Sequence, residues 1–483
     1  MFVGRTNELR ALERMYASTG FEMMVIYGRR RVGKTALIDR FLQGRKALYF
    51  TARQQNSQSI LRAFSSAMAA YFGYPDALHF TTWDDAVQHL LNRIQETDDA
   101  ERKTIIVFDE FPYAAEAEPG LPSVLQIAID HGFQQTNTML ILSGSNQGFM
   151  ESHVLGYKSP LYGRRTGQLR VQPFDCIDAA GFIPDASPED KVRYYATFGG
   201  TPYYLTQLRP ELSYEENVAA LCFDQGGLLY EEPLMLLREE LKSPAIYDSI
   251  LQAIGAGCNT SKLIADRTGL EQTSLPFYLK TLENLRLIEK STPFGDKATS
   301  RRTRIHLRDP FFAYWYRFVA PNVTLVETGN GRALAEHIAT SEDFATYVGQ
   351  QFEAMCLQWA IREAAAGRLG MLPAKSGKWW GNNPLRREQT DIDLVVADPT
   401  GKRLLLGECK WRNTPNETEM VEALRERVGL IPGYPRPTLA FFTKRPVGDA
   451  TRSKYADDPD MRFICVSDMF PAEAAEADRR TDG

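Results

Sequence analysis

The sequence predicts an α/β protein, with a parallel sheet in its first half, a helical middle and a smaller α/β domain towards the C-terminus. Three observations predict it. Short apolar runs alternate with helix-sized stretches early in the chain, the pattern of successive strand–helix–strand units. Near Asp175 the runs stop and helical patterns take over. After residue 340 a second group of apolar runs follows another helix. At roughly 150 residues per domain, a chain of 483 residues holds about three domains.

The elements follow in order. Strands are expected at EMMVIYG (22–28), KALYFTA (46–52), TIIVFDE (104–110) and TMLILSG (138–144), within a core spanning 1–174. Between them lie helical stretches such as SQSILRAFSSAMAAYF, for which Ser57 is the expected N-cap. Residues 175–242 are expected to form a helical lid on that core. Residues 243–325 contain three helix-sized units, followed by the basic stretch STPFGDKATSRRTRIHL, the outline of a winged helix. Pro276 would fall in the first turn of the third helix, where a missing N–H costs little. The run DPFFAYWYRFV (309–319) reads as an apolar helix with core aromatics. Residues 340–470 read as a helix, a hairpin (391–411), a helix (416–428) and strands at 438–444 and 461–467. The polar tail 471–483 lacks an apolar period and is expected to fray.

Composition excludes several classes. Hydrophobic residues make up 43% and charged residues 24%, which is globular rather than disordered. No apolar run approaches the roughly 20 residues of a membrane span. MFVGRTNELR has no signal-peptide core. The six cysteines form no CxxC pair, so neither a zinc ribbon nor a disulfide framework is expected, and a reducing cytoplasm fits. A net charge of −5 carries no global nucleic-acid signature.

Gly28-Arg29-Arg30-Arg31-Val32-Gly33-Lys34-Thr35 fits GxxxxGK[ST], between a strand and a helix, the context of a phosphate-binding P-loop. Its glycines let the backbone wrap phosphates, and amides at the helix start bind anions. Lys34 is expected to reach the β- and γ-phosphates and Thr35 to ligate Mg²⁺. The three arginines are expected to face outward. Asp109 and Glu110 end the third strand; Asp109 would hold Mg²⁺ through water and Glu110 would polarise the attacking water. In LSGSN after the fourth strand, Ser145 is a candidate for sensing the γ-phosphate.

In the C-terminal domain, Asp391 and Asp393 share one strand face, as do Glu408 and Lys410 on the next strand. A turn near Pro399–Thr400 brings both aspartates within a residue or two of Glu408. Carboxylates and a lysine at the end of a buried hairpin can bind Mg²⁺ and orient water for phosphodiester attack. Residues 243–320 hold 11 Lys or Arg against 7 Asp or Glu, and Arg301, Arg302, Arg304 and Arg308 fall on the expected wing. They could lie along nucleic-acid phosphates. Alternatively, the module mainly packs on the ATPase and transmits its state.

VGRTNELR, GRRRVGKT, VFDEF and LSGS together resemble the AAA-related, STAND-like P-loop ATPases. More narrowly, nearly the whole chain resembles a prokaryotic family, abundant in archaea, that joins this ATPase to a winged helix and a C-terminal PD-(D/E)xK nuclease-like domain of restriction-endonuclease type. The resemblance implies that Arg164 or Arg165 is an arginine finger or nucleotide contact, and that Pro202, in Gly199-Gly200-Thr201-Pro202, belongs to a lid motif that touches the nucleotide. It also implies that Asp393 and Glu408 are metal ligands, that Lys410 positions water or stabilises charge, and that Glu353 is the acid of the first core helix. Asp391 stands where many members carry Glu, and it remains open whether Asp391 or Asp393 is the ligand. No clear second sensor arginine is present, which points to a slow ATP switch rather than fast ring hydrolysis.

The expectation is therefore an ATP-binding, slowly hydrolysing switch coupled to a Mg²⁺-dependent nuclease-like domain acting on DNA or other nucleic acid. The alternative is a non-nucleolytic ATP-dependent regulator that binds DNA or a protein. A homo-oligomer stays open.

Overall fold

A computed structural model describes residues 2–470, apart from 76, 77, 98, 100, 385 and 435. The tail expected to fray lies outside the described residues. The chain divides into two compact units between Pro173 and Phe174.

In the first unit, β1 (Glu22–Tyr27), β2 (Ala47–Thr51), β3 (Thr104–Asp109) and β4 (Thr138–Gly144) lie where the apolar runs place them. A fifth strand, β5 (Gly167–Arg170), carries only one apolar side chain, Leu169, and gave no sequence signal. The order is β2-β3-β4-β1-β5, with every pairing parallel. The strands β1, β3 and β4 are almost wholly buried, as expected of a parallel sheet covered on both faces. Helices α1 (Thr6–Ala17) and α2 (Lys34–Leu42) cover one face, through Leu12, Leu37, Ile38 and Phe41. Helices α3 (Ser57–Phe72), α4 (Trp83–Thr97), α5 (Phe111–Ala117) and α6 (Leu121–His131) cover the other. Parallel register aligns the carboxyl ends, with Tyr27 opposite Gly144 and Phe108 opposite Leu142. The segments leaving β1, β3 and β4 therefore emerge side by side.

The cap of α3 differs from the expectation. Asn56 is the N-cap, its side chain accepting from the Ser59 amide at 2.9 Å. Ser57 instead donates to Glu118 at 3.0 Å and accepts from the Trp83 indole at 3.2 Å.

The second unit begins with helices, including Cys176–Ala180, Pro188–Phe198, Tyr214–Cys222 and Glu232–Glu240. Then come helices Pro244–Gly255, Ser261–Thr268 and Leu275–Asn284, and an antiparallel pair, β6 (Ile288–Ser291) and β7 (Arg304–Leu307). Pro276 lies in the first turn of the third of these helices. Phe311, Phe312, Tyr314 and Trp315 are core residues, as expected.

The C-terminal sheet has the order β12-β11-β10-β9-β8. Its strands are β8 (Lys375–Asn383), β9 (Glu388–Asp398), β10 (Arg403–Lys410), β11 (Thr438–Thr443) and β12 (Met461–Cys465). The hairpin β9–β10 pairs Asp398 with Arg403 and Leu394 with Gly407, within a residue of the expected register. Helix Glu342–Ala365 packs on one face; helix Glu417–Glu426 packs on the other through Val421 and Leu424. Strand β8 was not expected, because KSGKWWGNN has no clean alternation and two glycines.

The segment between β6 and β7 lies against the edge strand β8. The Phe294 amide donates to the Lys378 carbonyl at 2.7 Å, Arg302 donates to the Trp380 carbonyl at 3.0 Å, and the Arg304 guanidinium lies 5.0 Å from the Trp380 ring centre. This covers backbone that an exposed sheet edge would leave open to other chains. Arg302 also pairs with Asp296 at 2.6 Å. Two of the four arginines expected along nucleic-acid phosphates are thus engaged inside the protein. Trp379 packs against the sheet core and Trp380 lies under Arg304, which fits packing rather than base stacking. No helix among the described residues is long and apolar enough to cross a membrane.

The capping assignment predicts that Asn56→Ala lowers stability by about 1 kcal/mol. Denaturant unfolding measures it; an unchanged midpoint and slope would contradict the cap.

Candidate active site

The loop 28–33 joins β1 to α2 through a tight backbone path. A Cβ on Gly28 would sit 2.3 Å from the Val171 carbonyl oxygen, so only glycine fits there. Gly33 adopts φ 87°, the left-handed conformation that turns the chain into α2. Arg5, the residue before α1, braces the loop by donating to the Val32 carbonyl at 2.8 Å and the Gln172 carbonyl at 2.7 Å. It also pairs with Glu8 at 3.0 Å. Lys34 is buried, its ammonium donating to the Gly28 carbonyl at 3.0 Å and the Arg29 carbonyl at 3.2 Å, inside the loop. The arginines do not all face outward. Arg29 is only 3% exposed, and Arg30 donates to the Tyr113 hydroxyl at 2.6 Å.

Asp109 ends β3, and its carboxylate is gripped from three sides. Thr35 and Tyr49 hydroxyls donate to Oδ2 at 3.3 and 2.9 Å, and the Glu110 amide donates to Oδ1 at 3.1 Å. Hydroxyl and carboxylate oxygens beside a loop of amides form a donor set suited to Mg²⁺. Thr35 and Asp109 would hold it, where it would offset the charge of phosphate oxygens. Glu110 adopts φ 51°, unusual for a residue with a Cβ and a conformation that concentrates at functional sites. Its Oε2 accepts from the Ser145 hydroxyl at 2.8 Å and the Ser145 amide at 3.2 Å. Ser145 therefore contacts the carboxylate expected to polarise water. The negative potential of this corner is visible in Asp39: burial, then the charge of Asp109, lifts its carboxyl above the usual range.

Arg164 pairs with both oxygens of Asp130, at 2.8 and 2.6 Å, and caps the Pro160 carbonyl at 2.9 Å. These contacts give it a structural task. Arg165 donates to the Leu155 carbonyl at 3.4 Å. Pro202 opens the short helix Pro202–Leu205 in the second unit.

A second cluster forms at the end of the β9–β10 hairpin. The Lys410 ammonium lies 2.6 Å from Glu408 and 3.5 Å from Asp393, and the Cys409 amide donates to Asp393 at 2.9 Å. Arg427 pairs with the other oxygen of Glu408 and donates to Thr390 at 3.1 Å. Glu353, on helix Glu342–Ala365, pairs with Lys378 of β8. Three carboxylates and three cations therefore balance. Burial, then the neighbouring Asp393 charge, lifts Glu408 above the usual carboxyl range. Burial likewise lifts Glu353. Burial would lower Lys378 and Lys410, but Glu353 holds the first above its ordinary value and Asp393 with Glu408 the second. Lys378 and Arg427 were missed in the sequence. Lys378 sits on the unrecognised β8, and Arg427 just past a helix end.

Of the two alternatives for the aspartate ligand, Asp393 meets Glu408 at Lys410. Asp391 is exposed and stands opposite Trp380 on β8. Among the described residues no three His, Cys, Asp or Glu side chains converge to hold a metal ion. Both oxygens of Glu408 are occupied by cationic side chains, which a divalent ion would have to displace.

The glycine-turned loop with Lys34 and Thr35, facing Asp109 and Glu110 across a parallel sheet, defines a P-loop ATPase. Residues 2–208 match a family described as an ATPase domain predominantly from Archaea, and residues 315–421 match one described as archaeal and bacterial proteins of unknown function. The chain is 30% identical over 413 residues to the uncharacterized protein MJECL04 of Methanocaldococcus jannaschii, covering 86% of this chain and 88% of that one. It belongs to this archaeal-type ATPase family. Among solved structures it is similar to the Walker-type ATPase of Pyrococcus abyssi, with 22% identity, a TM-score of 0.48, and 65% of this chain and 96% of that one covered. It is also similar to the Aeropyrum pernix ORC2 protein, with 15% identity, a TM-score of 0.43, and 67% and 95% covered.

Two outcomes follow. Lys34→Ala removes the one ammonium inside the loop, and tight ATP binding should be lost; equal affinity by titration would contradict this. Glu110→Gln keeps shape and the Ser145 contact but not the base, so ATP should still bind while hydrolysis falls by about 10² to 10⁴. Hydrolysis at the wild-type rate would remove Glu110 from the reaction.

Proposed function

We propose that the protein is an ATP-binding, slowly hydrolysing switch whose nucleotide state governs its second unit, and that the C-terminal α/β domain acts on nucleic acid as a nuclease-like module. The observation that carries the first part is the gathering of Lys34, Thr35, Asp109 and Glu110 at the carboxyl ends of β1 and β3. What supports the second is that Asp393, Glu408 and Lys410 meet at one hairpin end, with Glu353 on the adjoining helix. The three helices and β6–β7 pair serve in this reading as a winged helix. The engagement of Arg302 and Arg304 with β8 favours an internal, signal-transmitting role for its wing. Pro202 and its neighbours would report the nucleotide to the second unit.

A second reading is favoured by the ion pairs on Glu408 and Glu353: the C-terminal domain is a non-cleaving platform that binds DNA or a protein partner. Incubation of the full chain with several nucleic acids, with and without Mg²⁺, Mn²⁺ and ATP, separates the two. The nuclease reading predicts metal-dependent cleavage that is lost in Asp393→Ala, Glu408→Ala and Lys410→Ala, while ATP hydrolysis survives in each. Absence of cleavage on every substrate sinks it in favour of the platform. Cutting by all three variants as fast as wild type would assign the activity elsewhere.

A further inference from the structure

Tyr49 lies on β2, the edge strand of the first sheet, and belongs to none of the motifs that mark a nucleotide site. Parallel pairing sets Thr51 of β2 opposite Asp109, so Tyr49 is two residues further back on the same strand face. From there its side chain packs against the core cluster that holds Phe41, Ile105 and Val107, and its hydroxyl reaches Oδ2 of Asp109 at 2.9 Å. The outer side of the residue borders a cleft of about 370 Å³ between β2 and α3, lined also by Phe50, Thr51, Ile60 and Ala63. Phenylalanine would meet these packing demands equally well, which leaves the hydroxyl's contribution in its bond to Asp109.

That bond acts on a specific freedom. A carboxylate at the end of a strand can rotate about its last side-chain bond, a broad torsion with little intrinsic preference. Thr35 holds one oxygen of Asp109 and the Glu110 amide the other, but Thr35 is an exposed residue and the side chain that would bind Mg²⁺ itself. Once the Thr35 oxygen turns to the ion, Tyr49 is the side-chain donor that still holds Oδ2 in place.

We propose that Tyr49 is a positioning residue of the ATPase, whose hydroxyl fixes the rotation of Asp109 so that its carboxylate is presented, with Thr35, to nucleotide-bound Mg²⁺. The inference rests on the ATPase reading of the P-loop and adds a residue to it.

The test is Tyr49→Phe in the full chain, with binding of a fluorescent ATP analogue titrated across Mg²⁺ concentrations and in EDTA. Loss of one hydrogen bond to a charged group predicts that half-saturating Mg²⁺ rises about tenfold, while affinity in EDTA stays at the wild-type value. Tyr49→Ala should show the same Mg²⁺ defect, and Tyr49→His, which can restore a donor, should recover part of it. An unchanged Mg²⁺ dependence in Tyr49→Phe overturns the proposal. So does an equal loss of affinity with and without Mg²⁺, since that marks a general packing defect. Failure of wild type to bind the analogue under any condition would overturn the ATPase reading, and with it this one.

Discussion

The first unit depends on how one carboxylate is held. Asp109 stands where β3 ends, and three donors from three segments meet on it: Thr35 at the start of α2, Tyr49 on β2 and the amide of Glu110. A buried carboxylate without such donors would be costly, because desolvation of a charge has to be offset by hydrogen bonds. Here the offsetting donors are also the parts that bind a nucleotide. The parallel register makes this possible by bringing the ends of β1, β3 and β4 into line. The same alignment sets Ser145, just beyond β4, against Glu110.

The second unit poses a different electrostatic problem. Glu353, Asp393 and Glu408 cluster near the end of a hairpin whose strands are otherwise apolar. Their charges are met by Lys378, Lys410 and Arg427. Removing a cationic partner of Glu408, which is buried, leaves that charge uncompensated and is destabilising. Lys378 ties the cluster to the β6–β7 segment. Its side chain holds Glu353, while its backbone carbonyl accepts from the Phe294 amide. A displacement of that segment would therefore reach the charged cluster through a single residue of β8.

Much of this was legible in the sequence, and the failures have definite causes. Four of the five strands of the first sheet announced themselves as buried apolar runs, and the phosphate loop by its glycines and lysine. The β9–β10 register came from a turn and strand alternation alone. The missed strands β5 and β8 are polar, glycine-containing edge strands, stabilised by pairing rather than by a buried face. Arg29 was expected outside because arginine is seldom buried, yet it is almost fully enclosed. The cap at Asn56 was displaced by one residue because Ser57 has an equally suitable hydroxyl, which tertiary contacts with Glu118 and Trp83 claim. Tyr49, Lys378 and Arg427 acquire their roles through partners 19 or more residues away, where no local pattern exists.

In the proposed switch, the nucleotide state of the first unit governs the second. Hydrogen exchange on the full-length Glu110→Gln variant, with and without Mg²⁺–ATP, tests it most directly. The account predicts slower exchange in the loop 28–35 and at the end of β3, accompanied by altered exchange in the second unit, including β8 and the hairpin β9–β10. Protection confined to the first unit, with the second unchanged, would contradict the switch and leave an ATPase whose chemistry is uncoupled from the rest of its chain.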